Sequence, residues 1–522
     1  MPIQGRKKIF ILGSSSIYGA KIISIIVGLV SVPIGLHYFG PVRYGIWAII
    51  SSIIAYLNIS NLGIPTATAV LTAKTSESFE REAILRRSLF LLLIISAVVL
   101  SVVLGIVYFY PNWVGVLGKI PLNFQNEAAE AAITISILFL LNVPLTVFSA
   151  GFIGLQKVYW EQFYISLTTI AGLLALILTV LLEGNLVTLA LFRGFATLFI
   201  SIVCALHFLF AHSELRQKSD KLIGREFSNK PILISGIRFF TIGIAAMVVW
   251  NTDNLVISHF IGPKAVTPYA VTFKLFVMAF SIFMSVNSAI LPMYGKAASL
   301  KQWDWIQRTY EKSTQLLPII GGLIWIGSVA FLREIIYIWV GAEAYSGILV
   351  VFALGGYGYL LSMVNIHSSL LIGLNATKNM IYIGWAEAIT NIGISIALVG
   401  ILGIGGVALG TFLASLLTVF WMLPLDVYKQ TEGKVKFHFR PILSHGLFIL
   451  LPCLSTSLFV QSYCHDEISK ILINVGIISV YLIFSWRIMS PKLHSLIKET
   501  RKGVFSYIKK SIILNRQKYL SW

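Results

Sequence analysis

PIGLHYFGPVRYGIWAIISSIIAYLNISNLGIPTATAV, residues 33–70, holds the end of one apolar run, a Gly40-Pro41 turn, a second apolar run and a polar turn around Asn58–Gly63. An apolar run of about 20 residues is long enough to cross a bilayer as a helix. Working outward from this stretch, the same alternation continues to residue 488. The expected spans are 9–38, 44–71, 88–110, 131–154, 160–182 and 186–210 in the first half. A second set follows at 232–261, 265–295, 313–332, 347–373, 379–399 and 404–424, and two more at 441–461 and 471–488. Lipid cannot satisfy free backbone groups, and the two-residue alternation of a barrel strand is absent, so the spans are helices. The expected fold is therefore an all-α integral membrane protein with fourteen transmembrane helices.

Composition agrees, with 57% hydrophobic residues, 12% charged residues and a mean hydropathy of +0.85. No polar stretch is long enough to fold as a soluble domain of ordinary size. The formal net charge of +19 comes from 40 Lys/Arg against 21 Asp/Glu. Most of these cations fall in the N-terminal segment, in alternate loops on the same side, and in the tail. That is the positive-inside pattern; it places both termini in the cytoplasm and excludes a nucleic-acid reading. The first apolar run follows Arg6-Lys7-Lys8, is too long for a signal peptide and is read as an uncleaved span. The tail from Pro491 to Trp522 carries eight Lys/Arg and one Glu, and is read as an amphipathic segment resting on anionic lipids. Cys204 and Cys453 lie in apolar runs, and Cys464 has no evident partner, so no disulfide is expected. There is no phosphate-binding loop, no metal-ligand cluster and no nucleophile triad. The chain is read as no enzyme, with no cofactor and no metal.

The two halves echo each other. His37-Tyr38-Phe39-Gly40-Pro41 returns as His259-Phe260-Ile261-Gly262-Pro263, and Ile153-Gly154-Leu155-Gln156-Lys157 returns as Ile372-Gly373-Leu374-Asn375-Ala376. Each echo falls at the matching span end, which argues for duplication. The expected organisation is an N-lobe at 1–210, a cytoplasmic inter-lobe loop at 211–231, a C-lobe at 232–424, two extra spans within 425–488 and a basic tail at 489–522. Six spans per copy is an even number, so the copies share one orientation and a substrate site is expected between them near the midplane.

Within residues 33–70, three motifs resemble the opening of polysaccharide transporters of the multidrug/oligosaccharidyl-lipid/polysaccharide superfamily, in particular the bacterial Wzx-type O-antigen flippases. They are Phe39-Gly40-Pro41, Tyr44-Gly45-Ile46-Trp47, and the turn from Leu57 to Gly63. The plan of six, six and two spans is similar along essentially the whole chain. One departure is Asn61, where members often carry Asp; Asn is read as a polar turn-former. The resemblance implies a bacterial inner-membrane protein with two six-helix lobes around a cavity. It also implies alternating access that moves an undecaprenyl-diphosphate-linked oligosaccharide to the outer leaflet for surface polysaccharide synthesis.

Six ionisable groups fall inside expected spans, where charge is expensive and marks a cavity or a partner. Lys21, Lys274 and Glu387 lie deep, Asp253 lies in the outer part of its span, and Arg193 and Arg238 lie nearer the ends. Four cations against two anions favour an anionic cargo, and Lys and Arg both suit phosphate oxygens. Lys21, Arg238, Lys274 and Arg193 are therefore the expected diphosphate site. Asp253 and Glu387 are expected either to pair with them or to couple a proton or sodium ion. Trp47, Trp250, Tyr269, Tyr357 and Trp385 are candidates to stack on sugar rings. A drug/cation antiporter of the same superfamily would favour an acidic cavity and twelve spans. A flippase for a lipid-linked peptidoglycan precursor remains an alternative within the same class. A polymerase or acyltransferase would need chemistry in the outer loops, and the longest, about 111–130, offers only Glu127 and Glu130, read as solvated.

Overall fold

The computed structural model describes residues 3–75, 77–212, 229–464 and 466–487, with the side chains of 3–14, 111, 238–239, 242, 282–289 and 292 outside it. Most of the inter-lobe loop and the whole basic tail lie outside the described residues. Among the described residues there are helices and no strands. The first half contains α1 (Ile3–Leu57), α2 (Ile64–Lys74), α3 (Ser78–Phe109), α4 (Leu122–Asn142), α5 (Thr146–Gly154), α6 (Val158–Leu181) and α7 (Leu186–Ala211). The second contains α8 (Lys230–Phe260), α9 (Pro263–Ser299), α10 (Trp303–Val340), α11 (Ile348–Gly373), α12 (Lys378–Leu402), α13 (Ile404–Leu417) and α14 (Val419–Gln430). α15 (Phe439–His445) runs through a π turn into α16 (Leu451–Tyr463), and α17 (Glu467–Arg487) closes the described chain. Among the described residues, eleven helical stretches are long and apolar enough to cross a membrane; one of them, Ser15–Asn61, takes in most of the first two expected spans.

Helix ends differ from the apolar runs for identifiable reasons. Gly40 (φ 69°, ψ 172°) breaks α1 just before Pro41. The expected span 44–71 is cut by a turn in which Asn61 Oδ1 accepts from Gly63 N at 2.8 Å, so Asn61 does act as a turn-former. Pro144 sits in the short 3₁₀ turn that separates α4 from α5. The supposed outer loop 111–130 is largely ordered, because a 3₁₀ turn at Pro111–Leu117 leads into α4. There Glu127 is no solvated acid: Oε2 accepts from Arg43 Nε at 3.0 Å, and Oε1 accepts from Leu186 N at 2.9 Å, capping α7.

The echoed turns share their backbone geometry. Gly262 (φ 127°, ψ 168°) precedes Pro263 as Gly40 precedes Pro41. Gln156 (φ 60°) and Asn375 (φ 58°) are both left-handed. The same three bonds close both turns: Leu155, Gln156 and Lys157 donate to Gly151, Ile153 and Phe152, while Leu374, Asn375 and Ala376 donate to Leu370, Ile372 and Leu371.

One buried cluster joins the halves, with Ile46 and Ile49 of α1, Ala128 of α4, Tyr269 of α9 and Leu354 of α11. The seam is also polar. Thr267 Oγ1 donates to Pro41 O at 2.5 Å, Asn254 Nδ2 donates to Ser52 Oγ at 3.0 Å, and the Tyr56 and Thr252 hydroxyls meet at 2.5 Å. Glycines allow the closest approaches: a Cβ at Gly45 would overlap the Pro263 carbonyl, and one at Gly63 would meet the carbonyl of Gly236 and, at 2.9 Å, Phe240 N. α16 and α17 attach to α10 through Gln461 Nε2 to Ala330 O at 2.6 Å and Tyr481 Oη to Ile319 O at 3.0 Å.

Gly45→Val should lower the thermal midpoint of the purified protein in detergent, by about 1–3 kcal/mol of stability. Gly105→Ala, where a Cβ meets nothing within 4 Å, should leave it unchanged or raise it. Glu127→Ala leaves Arg43 and the α7 terminus without their acceptor and should cost about 1–3 kcal/mol in the same assay.

Candidate substrate cavity and buried carboxylates

Small residues open a cavity inside the first half. On α1, Ser24, Gly28, Ser31 and Gly35 recur at helical spacing and share one face. They face Thr168, Thr169 and Gly172 of α6 and Leu189, Arg193 and Thr197 of α7, with Lys274 of α9 completing the wall. The cavity has a volume of about 350 Å³, and Phe39, Tyr44 and Trp47 form its aromatic side. A continuation of about 200 Å³ passes Trp47, Arg193 and Thr197 to the apolar side chains Ile50, Ile54, Ile135, Leu138 and Phe139.

Each cation rests on a glycine. The Lys274 Cε lies 3.4 Å from where a Cβ of Gly28 would stand, and the Arg193 Cζ lies 3.7 Å from that of Gly172. Among the described residues no Asp or Glu lines the cavity, and neither cation has a carboxylate partner. Two of the four expected cations are thus brought together. Lys21 continues the α1 stripe one turn beyond Ser24, but its Nζ donates to Ser281 O of α9 at 2.9 Å, and it does not line the cavity. The Arg238 side chain lies outside the described residues.

Asp253 and Glu387 occupy the second half and meet hydroxyls instead of cations. Asp253 is buried on α8; its Oδ2 accepts from Tyr269 Oη and, at 2.8 Å, from Thr411 Oγ1. Asn391 Nδ2 donates to the same Thr411 Oγ1 at 2.9 Å. One turn away on the same two helices, Glu387 of α12 accepts from Ser415 of α13. Asp253 Oδ1 and Asn391 Oδ1 are buried without a hydrogen-bond partner among the described residues. Ion pairing of Asp253 or Glu387 with Lys21 or Lys274, expected as one role for these acids, is not found among the described residues. The reason is placement, since the acids project between α8, α12 and α13 while the lysines lie along the α1–α9 contact.

Of the stacking candidates, Trp47 lines the cavity, whereas Tyr269 and Tyr357 are only 1% and 2% exposed within the core. Gly355, Gly356 and Gly358 accommodate Trp325, Phe412 and Phe280, which makes that stretch a packing surface. His207 bonds to Tyr164 at 3.0 Å and His367 to Tyr310 at 2.7 Å. No group of three potential metal ligands occurs among the described residues.

The position of charges inside spans named Arg193 and Lys274 among six candidates. It could not reveal the hydroxyl and glycine lining, although the Ser24, Gly28, Ser31, Gly35 periodicity was a readable sign of a close or hollow helix face. Nor could it show that Asn391, Thr411 and Ser415 gather around the acids.

A family model described as polysaccharide biosynthesis protein matches residues 10–298, more than half of the chain. The chain is 27% identical over 201 residues to a "Putative O-antigen transporter" of Salmonella typhimurium, a match covering 37% of this chain and 46% of that relative, so it spans about half of that protein's length. A protein of the same description from Salmonella typhi is 25% identical over 434 residues, covering 81% of this chain and 96% of the relative. Among solved structures, the lipid II flippase MurJ in an inward closed conformation superposes with a TM-score of 0.68 at 17% identity, covering 92% of this chain and 100% of that one, which shows a shared fold. With an all-helical membrane architecture and a model match across its first half and into its second, the chain belongs to the polysaccharide biosynthesis protein family.

Proposed function

We propose that this protein is a flippase that carries an undecaprenyl-diphosphate-linked oligosaccharide from the cytoplasmic to the outer leaflet of the bacterial inner membrane by alternating access. The observation that carries the reading is the pairing of Arg193 and Lys274 in one cavity whose lining includes no carboxylate. An isolated ion in a medium of low dielectric costs tens of kcal/mol by idealised Born estimates. A wet cavity with two cations lowers that cost for a diphosphate, while the lipid tail stays in the bilayer. Arg193 supplies a planar fork and Lys274 a point charge for phosphate oxygens. A drug cation would meet repulsion here. The O-antigen transporter relatives and the MurJ-like fold support the same class of cargo.

In this reading fourteen helices cross the membrane with both termini in the cytoplasm. α1 contributes two of them across its break at Gly40, and α8 and α9 are counted with the eleven apolar stretches. Residues 1–210 and 232–424 act as the two lobes, 211–231 links them, 425–488 forms the added pair and 489–522 lies on anionic lipid. Lys21 extends the basic face from the α1–α9 contact, and Arg238 of α8 serves as a further phosphate ligand. Asp253 and Glu387 take up a proton or sodium ion, with the unpaired oxygens of Asp253 and Asn391 as the free acceptors.

In a strain depending on this chain for surface glycan, Arg193→Ala and Lys274→Ala should each reduce glycan at least 10-fold at normal protein levels, and together abolish it. Wild-type glycan in the double variant rejects the diphosphate site. Asp253→Asn with Glu387→Gln should remove the dependence of transport in proteoliposomes on an imposed proton or sodium gradient. Gradient-driven transport at the wild-type rate excludes these acids from coupling.

A further inference from the structure

Six hydroxyl side chains line the cavity with Arg193 and Lys274, and four of them, Ser31, Thr168, Thr169 and Thr197, have already committed their proton. Ser31 donates to Gly28 O at 3.3 Å, and Thr168 to Tyr164 O at 2.9 Å. Thr169 donates to Ile165 O at 2.8 Å, and Thr197 to Arg193 O at 2.9 Å. A hydroxyl holding a carbonyl of its own helix offers what remains, its oxygen lone pairs. The lining is therefore divided by chemistry. Arg193 and Lys274 can only donate hydrogen bonds, while the engaged hydroxyls can accept.

A diphosphate is acceptor-only and fits the first set. It cannot satisfy the second. A ring bearing O–H or N–H donors fits the second, and it is the group attached next to a phosphate in a glycosyl diphosphate. Trp47 stands beside Arg193 and Thr197 at the junction with the apolar continuation, where the carbon face of a ring can lie against the indole. The apolar side chains beyond it, Ile54, Ile135 and Leu138 among them, suit a small apolar substituent such as an acetamido methyl.

We infer that Trp47, Thr168, Thr169 and Thr197 form a subsite for the sugar bonded directly to the phosphate, selecting a ring rich in hydrogen-bond donors. The inference rests on the diphosphate reading of Arg193 and Lys274. It adds that the cavity discriminates among cargoes by their first sugar, because a ring without donors forgoes the hydrogen bonds that the engaged hydroxyl oxygens offer.

The test uses the purified full chain and two probes, a short-chain prenyl diphosphate and the same molecule carrying an N-acetylhexosamine on its terminal phosphate. Valine keeps the shape of threonine and removes the acceptor. The combined Thr168→Val, Thr169→Val and Thr197→Val variant should bind the sugar-bearing probe roughly 10-fold or more weakly, each lost hydrogen bond counting for a few-fold. Its affinity for the sugar-free probe should stay unchanged, which also reports that the cavity is intact. Thr197→Ser and Thr168→Ser keep an acceptor and should keep the affinity, and they serve alongside the single valine variants if the combined one does not fold. Equal weakening of both probes, or of neither, in the valine variants overturns the sugar subsite. Arg193→Ala and Lys274→Ala should weaken both probes; unchanged binding of both would overturn the diphosphate reading itself.

Discussion

Two positive charges held in a membrane-depth cavity with no acid in its lining set the terms for the rest of this molecule. Such charges are tolerable only where water or a ligand can solvate them, so the surrounding helices cannot close on them. The chain meets that demand with small residues: Gly28 and Gly35 of α1 and Gly172 of α6 line the cavity beside Lys274 and Arg193. The aliphatic and aromatic packing that joins the two halves then runs beside the cavity, through Ile46, Ile49 and Tyr269, and not through it.

The acids are kept elsewhere. Had Asp253 or Glu387 faced the cavity, each would have neutralised a cation and removed the basis for the anionic cargo proposed above. They project instead among hydroxyls between α8, α12 and α13. On either side of Asp253, Thr252 and Asn254 reach across to Tyr56 and Ser52 of α1. The carboxylate and the seam between the halves therefore share one turn of α8. A change at Asp253 is placed to be felt at the seam, as the ion coupling proposed above requires.

Much of the fold could be read from the residues because lipid imposes simple rules. Apolar length located the helices, and the echoed Gly-Leu turns proved alike in backbone, with left-handed residues at Gln156 and Asn375. Boundaries were less legible, since membrane helices extend past the hydrocarbon: α10 begins at Trp303, ten residues before the apolar run at 313. A cation inside an apolar run needs a reason that sequence position alone can raise, which is how Arg193 and Lys274, found together in one cavity, became candidates. Which partner each group meets depends on helix rotation, and that was not legible for three groups. Lys21 turns to the Ser281 carbonyl, Asp253 to Tyr269 and Thr411, and Glu127 to Arg43 and the α7 terminus. The committed hydroxyl protons of the cavity were invisible for the same reason.

The most direct measurement is the position at which cargo meets the chain. A lipid-diphosphate sugar carrying a photoreactive group beside the phosphate, cross-linked in membranes and mapped by mass spectrometry, should label segments 24–35 of α1, 168–176 of α6 and 189–197 of α7, and Lys274 on α9. Labelling confined to the outer faces of α15–α17, or spread evenly over the lipid-facing helices, would contradict the account.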